Sequence, residues 1–284
     1  MAGLSRDRHT IGLCLETLHA TVGVMTSHPA LVVFSDLDGT LLDHETYSWS
    51  AARPALDRLA QLGCPVVLTS SKTAAEIKLL QQDMGLTAYP AIVENGAGLF
   101  GVPGAQGGHV TYAKLRGLLE TVPPHLRRRF CGFGDMSVDQ LITLTGLPKD
   151  AANLAKRRDF SEPGVWSGTD PEKHAFLTEI GQRGVKATEG GRFLTLSFGA
   201  TKADGMARVL DDFQPNHFVA LGDAPNDITM LEAADFGIII ANPHRDPLPT
   251  LKGEAEGRIS RTLDAGPTGW NTAICALLDQ LGLI

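Results

Sequence analysis

The sequence has few cysteines, no long apolar run and no excess of positive charge, and each absence excludes a class of protein. Its four cysteines are widely scattered and form neither a Cys-x-x-Cys pair nor a Cys/His metal-binding spacing. This pattern favours buried or idle thiols in a reducing compartment, so we expect a cytoplasmic protein. No apolar stretch approaches the length of a membrane-spanning helix. The net charge of −7 argues against a nucleic-acid or anionic-membrane binder, and an anionic substrate would need a local positive site.

What is present is an ordinary globular composition. The 284 residues are 43% hydrophobic and 20% charged, which is enough to bury a sizeable core and to form two domains. Residues 1–30 are predicted to be an N-terminal extension. The stretch from Ile11 to Met25 is moderately apolar, but Glu16 and His19 interrupt it and no clear cleavage site follows, so a signal peptide is disfavoured. Met25 is a second candidate for the start of translation, because organised pattern begins just after it.

The most informative stretch is the apolar run Leu31–Phe34 and the two carboxylates that follow it. The run predicts a buried central strand. Asp36 and Asp38 lie at its C-terminal end, and the Gly39-Thr40 turn would let them converge on the space beyond the strand, where open α/β sheets bind ligands. Two close carboxylates repel unless one keeps its proton or a hard cation such as Mg²⁺ lies between them. A solvated Asp-x-Asp-Gly turn is the alternative for these residues alone.

Two more strands are predicted in the same sheet. Residues Cys64–Ser70 form the next strand, and the turn Ser71-Lys72-Thr73 leads into a helix over Ala74–Met84. A hydroxyl-rich turn before a helix points backbone N–H groups at an anion, although Ser71 or Thr73 could also cap the helix. A third short strand, Ala91–Val93, precedes an Asn-Gly pair that predicts a hairpin. A turn role is therefore favoured for Glu94 and Asn95 over a place in the site.

From about Val102 the strand–helix alternation stops, which indicates a separate α+β domain inserted in the first. The predicted elements are helices near 112–120, over 138–145 with Ser137 as N-cap, and over 148–157, and strands at 185–188 and 192–198. Guanidinium forks in segment 156–163 and at Arg192 could bind carboxylates or phosphates. On local sequence alone, a solvated helix C-terminus is the favoured interpretation.

After the insertion the chain carries a second acidic loop. Lys202 precedes a predicted helix, where its ammonium could reach a phosphate and the carboxylates. His217–Leu221 predicts a buried strand that ends in Gly222–Asp227. Asp223 would complete a magnesium sphere, and Asp227 would support it from the same loop. The remaining predicted elements are a strand over 236–240 and a helix ending at Leu281, with Trp270 expected in the core.

In combination, these motifs resemble those of a known superfamily. They are similar to the four motifs of the haloacid dehalogenase-like (HAD) phosphatases, both in their order and in their position at strand ends. The matching residues are Asp36-Leu37-Asp38-Gly39-Thr40, Ser70, Lys202 and Gly222-Asp223 to Asp227. The resemblance implies an α/β fold: a Rossmann-like parallel-sheet core with an inserted α+β cap domain. It divides the chain into the extension 1–30, core 31–103, cap 104–198 and core 199–284.

A narrower resemblance is to the mannosyl-3-phosphoglycerate phosphatases within that superfamily. It covers about Leu31 to Leu281 and is carried by Ser70–Thr73, Asp135–Ser137, Leu144–Leu147, Arg158–Pro163, Gly191–Phe193 and Gly266–Asn271. Two residues depart from the pattern. Asp159 stands where Glu is expected, which bears on the substrate assignment. Ala224 replaces the usual Ser of the acidic loop, which should not affect metal binding.

The resemblance implies a Mg²⁺-dependent phosphatase that acts through an aspartyl-phosphate intermediate. Asp36 would attack phosphorus, and Asp38 would protonate the leaving alkoxide and then activate water. Ser70 and Lys202 would stabilise the phosphoryl oxygens. The implied metal site comprises Asp36, Asp38, Asp223 and Asp227. The residues implied to bind substrate are Gly39, Thr40, Ser71, Lys72, Arg158, Ser161, Glu162, Arg192 and Asn226.

The implied substrate is a small anionic phosphorylated sugar-glycerate, with mannosyl-3-phosphoglycerate as the first choice. A phosphatase for glucosyl-3-phosphoglycerate or another sugar phosphate would keep all the chemistry and change only the leaving group. A phosphomutase shares the nucleophile but must return phosphate to the substrate. A non-catalytic binding protein would be expected to lack Asp36 or Asp38, and both are present. We expect no nucleic-acid or membrane partner, and the sequence leaves a monomer and a homodimer open.

Overall fold

The computed structural model describes residues 28–102, 108–190 and 192–283, which form eleven β-strands and ten α-helices. The strands are β1 (Leu31–Ser35), β2 (Val66–Thr69), β3 (Ala91–Val93), β4 (Gly98–Phe100), β5 (Phe130–Gly132), β6 (Glu162–Trp166), β7 (Lys186–Gly190), β8 (Phe193–Ser197), β9 (His217–Gly222), β10 (Phe236–Ala241) and β11 (Ile259–Ala265). The helices are α1 (Arg53–Gln61), α2 (Ala74–Met84), α3 (Gly108–Glu120), α4 (Pro124–Arg127), α5 (Val138–Thr145), α6 (Lys149–Ala155), α7 (Asp170–Gln182), α8 (Lys202–Phe213), α9 (Ile228–Ala233) and α10 (Gly266–Gln280). The predicted N-terminal extension lies outside the described residues except for 28–30, as do Cys14 and Gly191.

The larger sheet has seven strands in the order β11-β10-β9-β1-β2-β3-β4. All neighbours pair in parallel except β3 and β4, which form the hairpin predicted from the Asn-Gly pair. The first strand is central, with Val33 opposite Val66 on one side and Val219 on the other. Strands covered on both faces carry continuous apolar runs, as β1 does. The predicted α/β fold with a mainly parallel sheet is confirmed.

Alternate side chains of β1 enter two different cores. Leu31 and Val33 belong to a cluster built with α1, α2 and α10, whereas Val32 and Phe34 pack with side chains of α8 and α9 on the opposite face. Trp270 of α10 is fully buried in the first cluster, which confirms its predicted packing role. The helices thus hold β1 from both sides and fix the position of the residues at its C-terminal end.

Between β4 and α8 the chain forms a second, four-stranded antiparallel sheet in the order β5-β6-β8-β7. We call the described residues from α3 to β8 the inserted segment. It has its own buried clusters, one of them built around stacked Phe130 and Phe176. Helix α5 begins after Ser137, whose hydroxyl accepts a hydrogen bond from the N–H of Gln140, as predicted for an N-cap. The domain limits 31–103, 104–198 and 199–284 stay predictions.

Several details differ from the sequence expectations. The structure adds β5, β6, β11, α4, α7 and α9, none of which the pattern predicted. Lys202 is the first residue of α8 and does not precede it. Cys64 is buried, but Cys131 is exposed, so burial does not explain every thiol. Among the described residues, no helix is long and apolar enough to cross a membrane.

Candidate active site

Three buried carboxylates meet at the C-terminal edge of the parallel sheet. Asp36 follows β1, and Asp223 and Asp227 belong to the loop after β9. One carboxylate oxygen from each lies within 4.8 Å of the others, and no other group of His, Cys, Asp or Glu side chains in the described ranges is so arranged. The convergence follows from the topology, because β1 and β9 are parallel neighbours whose ends share one edge. A hard divalent cation fits this oxygen-only donor set.

Lys202 supplies the positive charge inside this cluster. Its Nζ atom lies 2.5 Å from Oδ1 of Asp36 and 2.6 Å from Oδ1 of Asp227, and its side chain is fully buried. Burial raises the pKa of Asp36 to about 6, although Lys202 acts in the opposite direction. Burial would lower the pKa of Lys202, but the two carboxylates, Asp227 foremost, outweigh it and raise that pKa. The lysine is therefore a fixed cation.

Asp227 holds the acidic loop in shape. Its Oδ2 atom accepts hydrogen bonds from the N–H groups of Asp223 and Ala224 at 3.0 and 2.9 Å, and its Oδ1 atom accepts from Lys202. Both oxygens of this fully buried carboxylate thus have partners within the protein. Ala224 in place of a serine leaves this backbone contact intact, because the donor is the main-chain N–H.

Asp223 is surrounded by donors from two different loops, those after β1 and β10. The hydroxyl of Thr40 donates to Oδ1 at 3.0 Å, while Asn242 Nδ2 and Arg245 Nε lie 2.7 and 3.2 Å from Oδ2. Burial and the charge of Asp36 nevertheless raise the pKa of Asp223. Gly39 has a φ of +86°, and a Cβ atom there would lie 2.5 Å from Asn242 Nδ2, so this position requires glycine.

One carboxylate oxygen of Asp38 accepts no hydrogen bond from any described residue. Its Oδ2 atom accepts a hydrogen bond from Lys72 Nζ at 2.7 Å, but its buried Oδ1 atom has no partner. Burial would lower the pKa of Lys72, and the neighbouring Asp38 carboxylate raises it instead. An unpartnered buried oxygen is costly unless a ligand satisfies it. This oxygen is therefore available to a proton, a water or a substrate group.

The Ser70–Thr73 loop completes the edge. Thr73 caps α2 through a capping box with Glu76, so the capping role falls to Thr73 and not to Ser71. The buried hydroxyl oxygen of Ser70 accepts a long hydrogen bond of 3.3 Å from the N–H of Lys72. Among the described residues its hydroxyl hydrogen has no acceptor, so it can donate to a bound anion.

Comparison with known proteins identifies the family. Residues 33–106 and 176–248 match the model of the haloacid dehalogenase-like hydrolases. A glucosyl-3-phosphoglycerate/mannosyl-3-phosphoglycerate phosphatase from Persephonella marina is 36% identical over 274 residues, covering 88% of this chain and 98% of its own length. The chain belongs to the haloacid dehalogenase-like hydrolases.

Solved structures have the same fold. The phosphatase BT1666 from Bacteroides thetaiotaomicron matches with a TM-score of 0.59 and 20% identity over 93% of this chain and 100% of its own. The subclass IIB sugar phosphatase BT4131 matches with a TM-score of 0.56 and 18% identity over 89% and 99%. A Thermoplasma acidophilum protein matches with a TM-score of 0.61 and 17% identity over 90% and 100%. At these identities the likeness concerns the fold alone.

Two of the residues predicted to bind substrate in this hydrolase already have hydrogen-bond partners within the protein. The side chain of Glu162 is fully buried and accepts hydrogen bonds from the hydroxyl of Tyr112 and the N–H of Gly134. Burial raises the pKa of Glu162. Arg192 is exposed and donates to the carbonyl oxygens at the end of α5, not to the acidic cluster. Their roles as substrate contacts stay predictions.

Arg158, Ser161 and Asn226 lie nearer to the site loops. Arg158 is buried and donates to the carbonyl of Ser71 and to the hydroxyl of Ser161. Asn226 donates from Nδ2 to Oδ1 of Asn95 at 3.0 Å. In the described conformation the polar atoms of Arg158 and Ser161 are therefore bonded within the protein.

Sequence reasoning missed three residues of this region, which are Glu94, Asn242 and Arg245. Asn242 directly follows β10 at the same sheet edge, so the strand-end rule that found Asp36 could have found it. Arg245 carries no local signal; it lines a cavity of about 340 Å³ beside Asp223 only because the loop after β10 turns back. Glu94 follows β3 at the edge, where the Asn-Gly pair favours a turn role for it.

Proposed function

We propose that this hydrolase is a Mg²⁺-dependent phosphatase that releases phosphate from a glycosyl-3-phosphoglycerate, with the mannosyl compound as the first candidate. The observation that carries the proposal is the convergence of Asp36, Asp223 and Lys202 at the sheet edge, next to the free oxygen of Asp38. The Persephonella marina relative, named for both glucosyl- and mannosyl-3-phosphoglycerate, supports this substrate class. The glucosyl compound is the alternative.

Asp36 is proposed as the nucleophile. Its carboxylate attacks phosphorus and displaces the alkoxide, giving an aspartyl-phosphate, so that one difficult displacement becomes two easier ones. Asp38 donates a proton to the leaving oxygen and then takes one from the water that attacks the aspartyl-phosphate. The unpartnered Oδ1 atom of Asp38 supports this role, because it is free to hold and release a proton.

Asp36 and Asp223 would hold the cation through their carboxylates, and Asp38 through its backbone carbonyl, with Asp227 fixing the loop. When bound, Mg²⁺ would neutralise the charge that gathers on the phosphoryl oxygens. Ser70 and Lys202 donate hydrogen bonds to those same oxygens, which stabilises the transition state electrostatically. Gly39 and Thr40 shape the phosphate-binding turn, and Thr40 orients the Asp223 carboxylate.

We propose that the inserted segment, which lies within the predicted cap 104–198, recognises the leaving group of the substrate. It closes over the sheet edge and excludes water from the aspartyl-phosphate. Lys72 lies beside Asp38 with its ammonium positioned for an anionic substrate. The proposed contacts of the leaving group with the inserted segment and nearby loops are made by Ser71, Arg158, Ser161, Glu162, Arg192 and Asn226.

Parallel rate measurements test the substrate. Phosphate release would be followed with mannosyl- and glucosyl-3-phosphoglycerate and with simple hexose phosphates, with Mg²⁺ and with chelator. We expect the first two to react faster than the hexose phosphates, and the chelator to abolish activity. If a hexose phosphate reacts as fast, the protein is another sugar-phosphate phosphatase. Transfer of phosphate to a sugar without release to water would indicate a phosphomutase.

A variant of the nucleophile tests the mechanism. Asp36→Asn keeps the size of the side chain but removes the attacking charge, and should lower phosphate release by at least about 10³-fold. A folded Asp36→Asn protein with wild-type activity would contradict the assignment and favour a contaminating phosphatase or a different nucleophile.

A further inference from the structure

The turn Glu94–Gly96 joins four parts of the molecule that carry the proposed chemistry. The N–H groups of Glu94 and Asn95 donate to the carbonyl oxygens of Lys72 and Ser70 at 3.0 and 2.9 Å. Asn95 Oδ1 accepts from Asn226 of the acidic loop. Gly96 packs so closely on the start of α8 that a Cβ atom there would lie 1.8 Å from the carbonyl oxygen of Thr201. The fourth contact is made by the Glu94 side chain.

The Glu94 carboxylate reaches from the sheet edge into the inserted segment. Its Oε1 atom accepts a hydrogen bond from the N–H of Asp159 at 2.8 Å, and its Oε2 atom accepts from the N–H groups of Phe160 and Ser161 at 3.2 and 2.7 Å. The hydroxyl of Ser161 donates to Oε2 at 2.7 Å, and Arg158 Nη2 lies 3.1 Å from the same oxygen. Every one of these partners belongs to residues 158–161.

This arrangement requires a side chain with two acceptor oxygens. Three consecutive backbone N–H groups, a hydroxyl and a guanidinium all point donors at two oxygens of a fully buried side chain. A glutamine would place an NH₂ group against some of these donors and leave them unpaired. Glu94 and Asn95 also have φ values of +52° and +61°, which non-glycine residues adopt rarely and mostly where the surroundings enforce them.

The segment that Glu94 holds lies against the Ser70–Thr73 loop. Arg158 donates from both Nη atoms to the carbonyl oxygen of Ser71 at 3.3 Å. Phe160 packs on Gly98, where a Cβ atom would lie 2.1 Å from its ring. Residues 158–161 of the inserted segment are thus held beside the proposed phosphate-binding loop. Glu94, which follows β3, is the residue of the larger sheet that holds them.

We propose that Glu94 is a positioning residue for substrate recognition, whose carboxylate fixes residues 158–161 against the Ser70–Thr73 loop and so sets where the leaving group binds. The kinetic consequence rests on the proposed function. The structural consequence, that the amides of residues 159–161 are held by Glu94, does not. Glu94→Gln keeps the backbone hydrogen bonds to Lys72 and Ser70, so the side-chain contacts are altered selectively.

Two measurements on the full chain test the proposal. Hydrogen exchange should show faster exchange of the amides of residues 159–161 in Glu94→Gln than in wild type, with no such change in Glu189→Gln, an exposed glutamate of the inserted segment. In kinetics, KM for the glycosyl-3-phosphoglycerate should rise on the order of 10- to 100-fold, because the leaving group is misplaced. Turnover of p-nitrophenyl phosphate, whose small leaving group needs no such recognition, should change by less than about threefold.

Unchanged amide exchange in Glu94→Gln would overturn the proposal, and so would an equal loss of both activities, since that is the signature of a merely structural residue. If Glu94→Gln does not fold, Ser161→Ala removes one donor to the carboxylate and should speed the exchange of the amides of residues 159–161 by a smaller amount. Unchanged amide exchange in Ser161→Ala would then count against the proposal. A wild-type enzyme inactive on glycosyl-3-phosphoglycerates would defeat the proposed function but leave the exchange measurement decisive for Glu94.

Discussion

The ammonium of Lys202 lies 2.5 Å from Oδ1 of Asp36, although 166 positions separate the two residues in the chain. Lys202 opens α8, whose N-terminus is capped by Thr201, and α8 packs on the sheet beside β1. The proposed nucleophile and its counterion are therefore fixed by separate elements, each anchored in the same core. A buried carboxylate pair of this kind is stable only while the cation stays in place.

Removal of that cation should destabilise the fold. In Lys202→Met, which shortens the unbranched side chain by one atom and removes its charge, Asp36 and Asp227 are left buried without their shared cation. The free energy of unfolding should fall by about 3–5 kcal/mol, the usual result of breaking a buried ion pair. Urea denaturation measures it, with Lys78→Met on an exposed face of α2 as the control. A loss no larger than that of the control would mean that the carboxylates find another partner or a proton.

Asp38→Asn should separate the two halves of the reaction. Nitrophenolate leaves without a proton donor, so the variant should still form the aspartyl-phosphate from p-nitrophenyl phosphate. Hydrolysis of the aspartyl-phosphate should slow by about 10²- to 10⁴-fold, because the base that activates water is missing. Stopped-flow absorbance should then show a burst near one nitrophenolate per active site. For an alkyl phosphate, both steps should slow and no burst should appear. A variant with equal rates on both substrates and no burst would contradict the acid–base role of Asp38.

The fold was predictable because its central pattern is local. The run before Asp36 and the run before Gly222 are buried parallel strands in the structure, and both end at the predicted loops. The inserted segment was harder. Strand β6 contains Pro163 and Gly164, which weaken a strand pattern, and its neighbour β5 has only three residues. Strand β6 forms by pairing with β8, and β5 by pairing with β6, and no local signal in the sequence predicts either pairing.

The site was predictable only where a motif follows a strand directly. Asp36, Asp38 and Asp223 obey that rule, and the structure brings them to one edge. Arg245 contacts Asp223 because the loop after β10 turns back towards it. The spacing of residues in the sequence does not predict the path of such a loop. The turn role predicted for Glu94 is correct for its backbone, but the 67-residue separation from Ser161 hides the role of its side chain.

Acid should remove the stabilising contribution of the Glu254 carboxylate over a defined pH range. Hydrogen bonds from Arg261 and from the N–H of Leu251 lower the pKa of Glu254 to about 2, from an ordinary value of 4.5. A carboxyl whose pKa is lower in the folded than in the unfolded chain stabilises the fold above pH 4.5 and loses that contribution as the pH falls from 4.5 towards 2. Glu254→Gln should therefore lower the melting temperature at pH 7 and converge with wild type near pH 2. Glu256→Gln, a change at an exposed position in the same loop, is the control, and parallel pH curves for Glu254→Gln and wild type would contradict the prediction.

Two glycines with positive φ allow backbone strain and steric overlap to be separated. Gly85 at the end of α2 has a φ of +73°, and a Cβ atom there would meet nothing within 4 Å. Gly96 has a φ of +95°, and a Cβ atom there would lie 1.8 Å from the carbonyl oxygen of Thr201. Gly85→Ala should cost only the left-handed backbone penalty of about 1 kcal/mol. Gly96→Ala should add about 1–3 kcal/mol of overlap, because α8 or the turn must move.

The same pair distinguishes effects on activity. Displacement of the start of α8 moves Lys202 away from Asp36, and misplacement of a catalytic group by about 1 Å can cost up to about 10²-fold in rate. Gly96→Ala should therefore lower kcat well below that of Gly85→Ala, measured at a temperature where both variants remain folded. Equal kcat values for the two would mean that the Gly96 turn yields without moving α8, and that the contact between this turn and Thr201 does not fix the lysine.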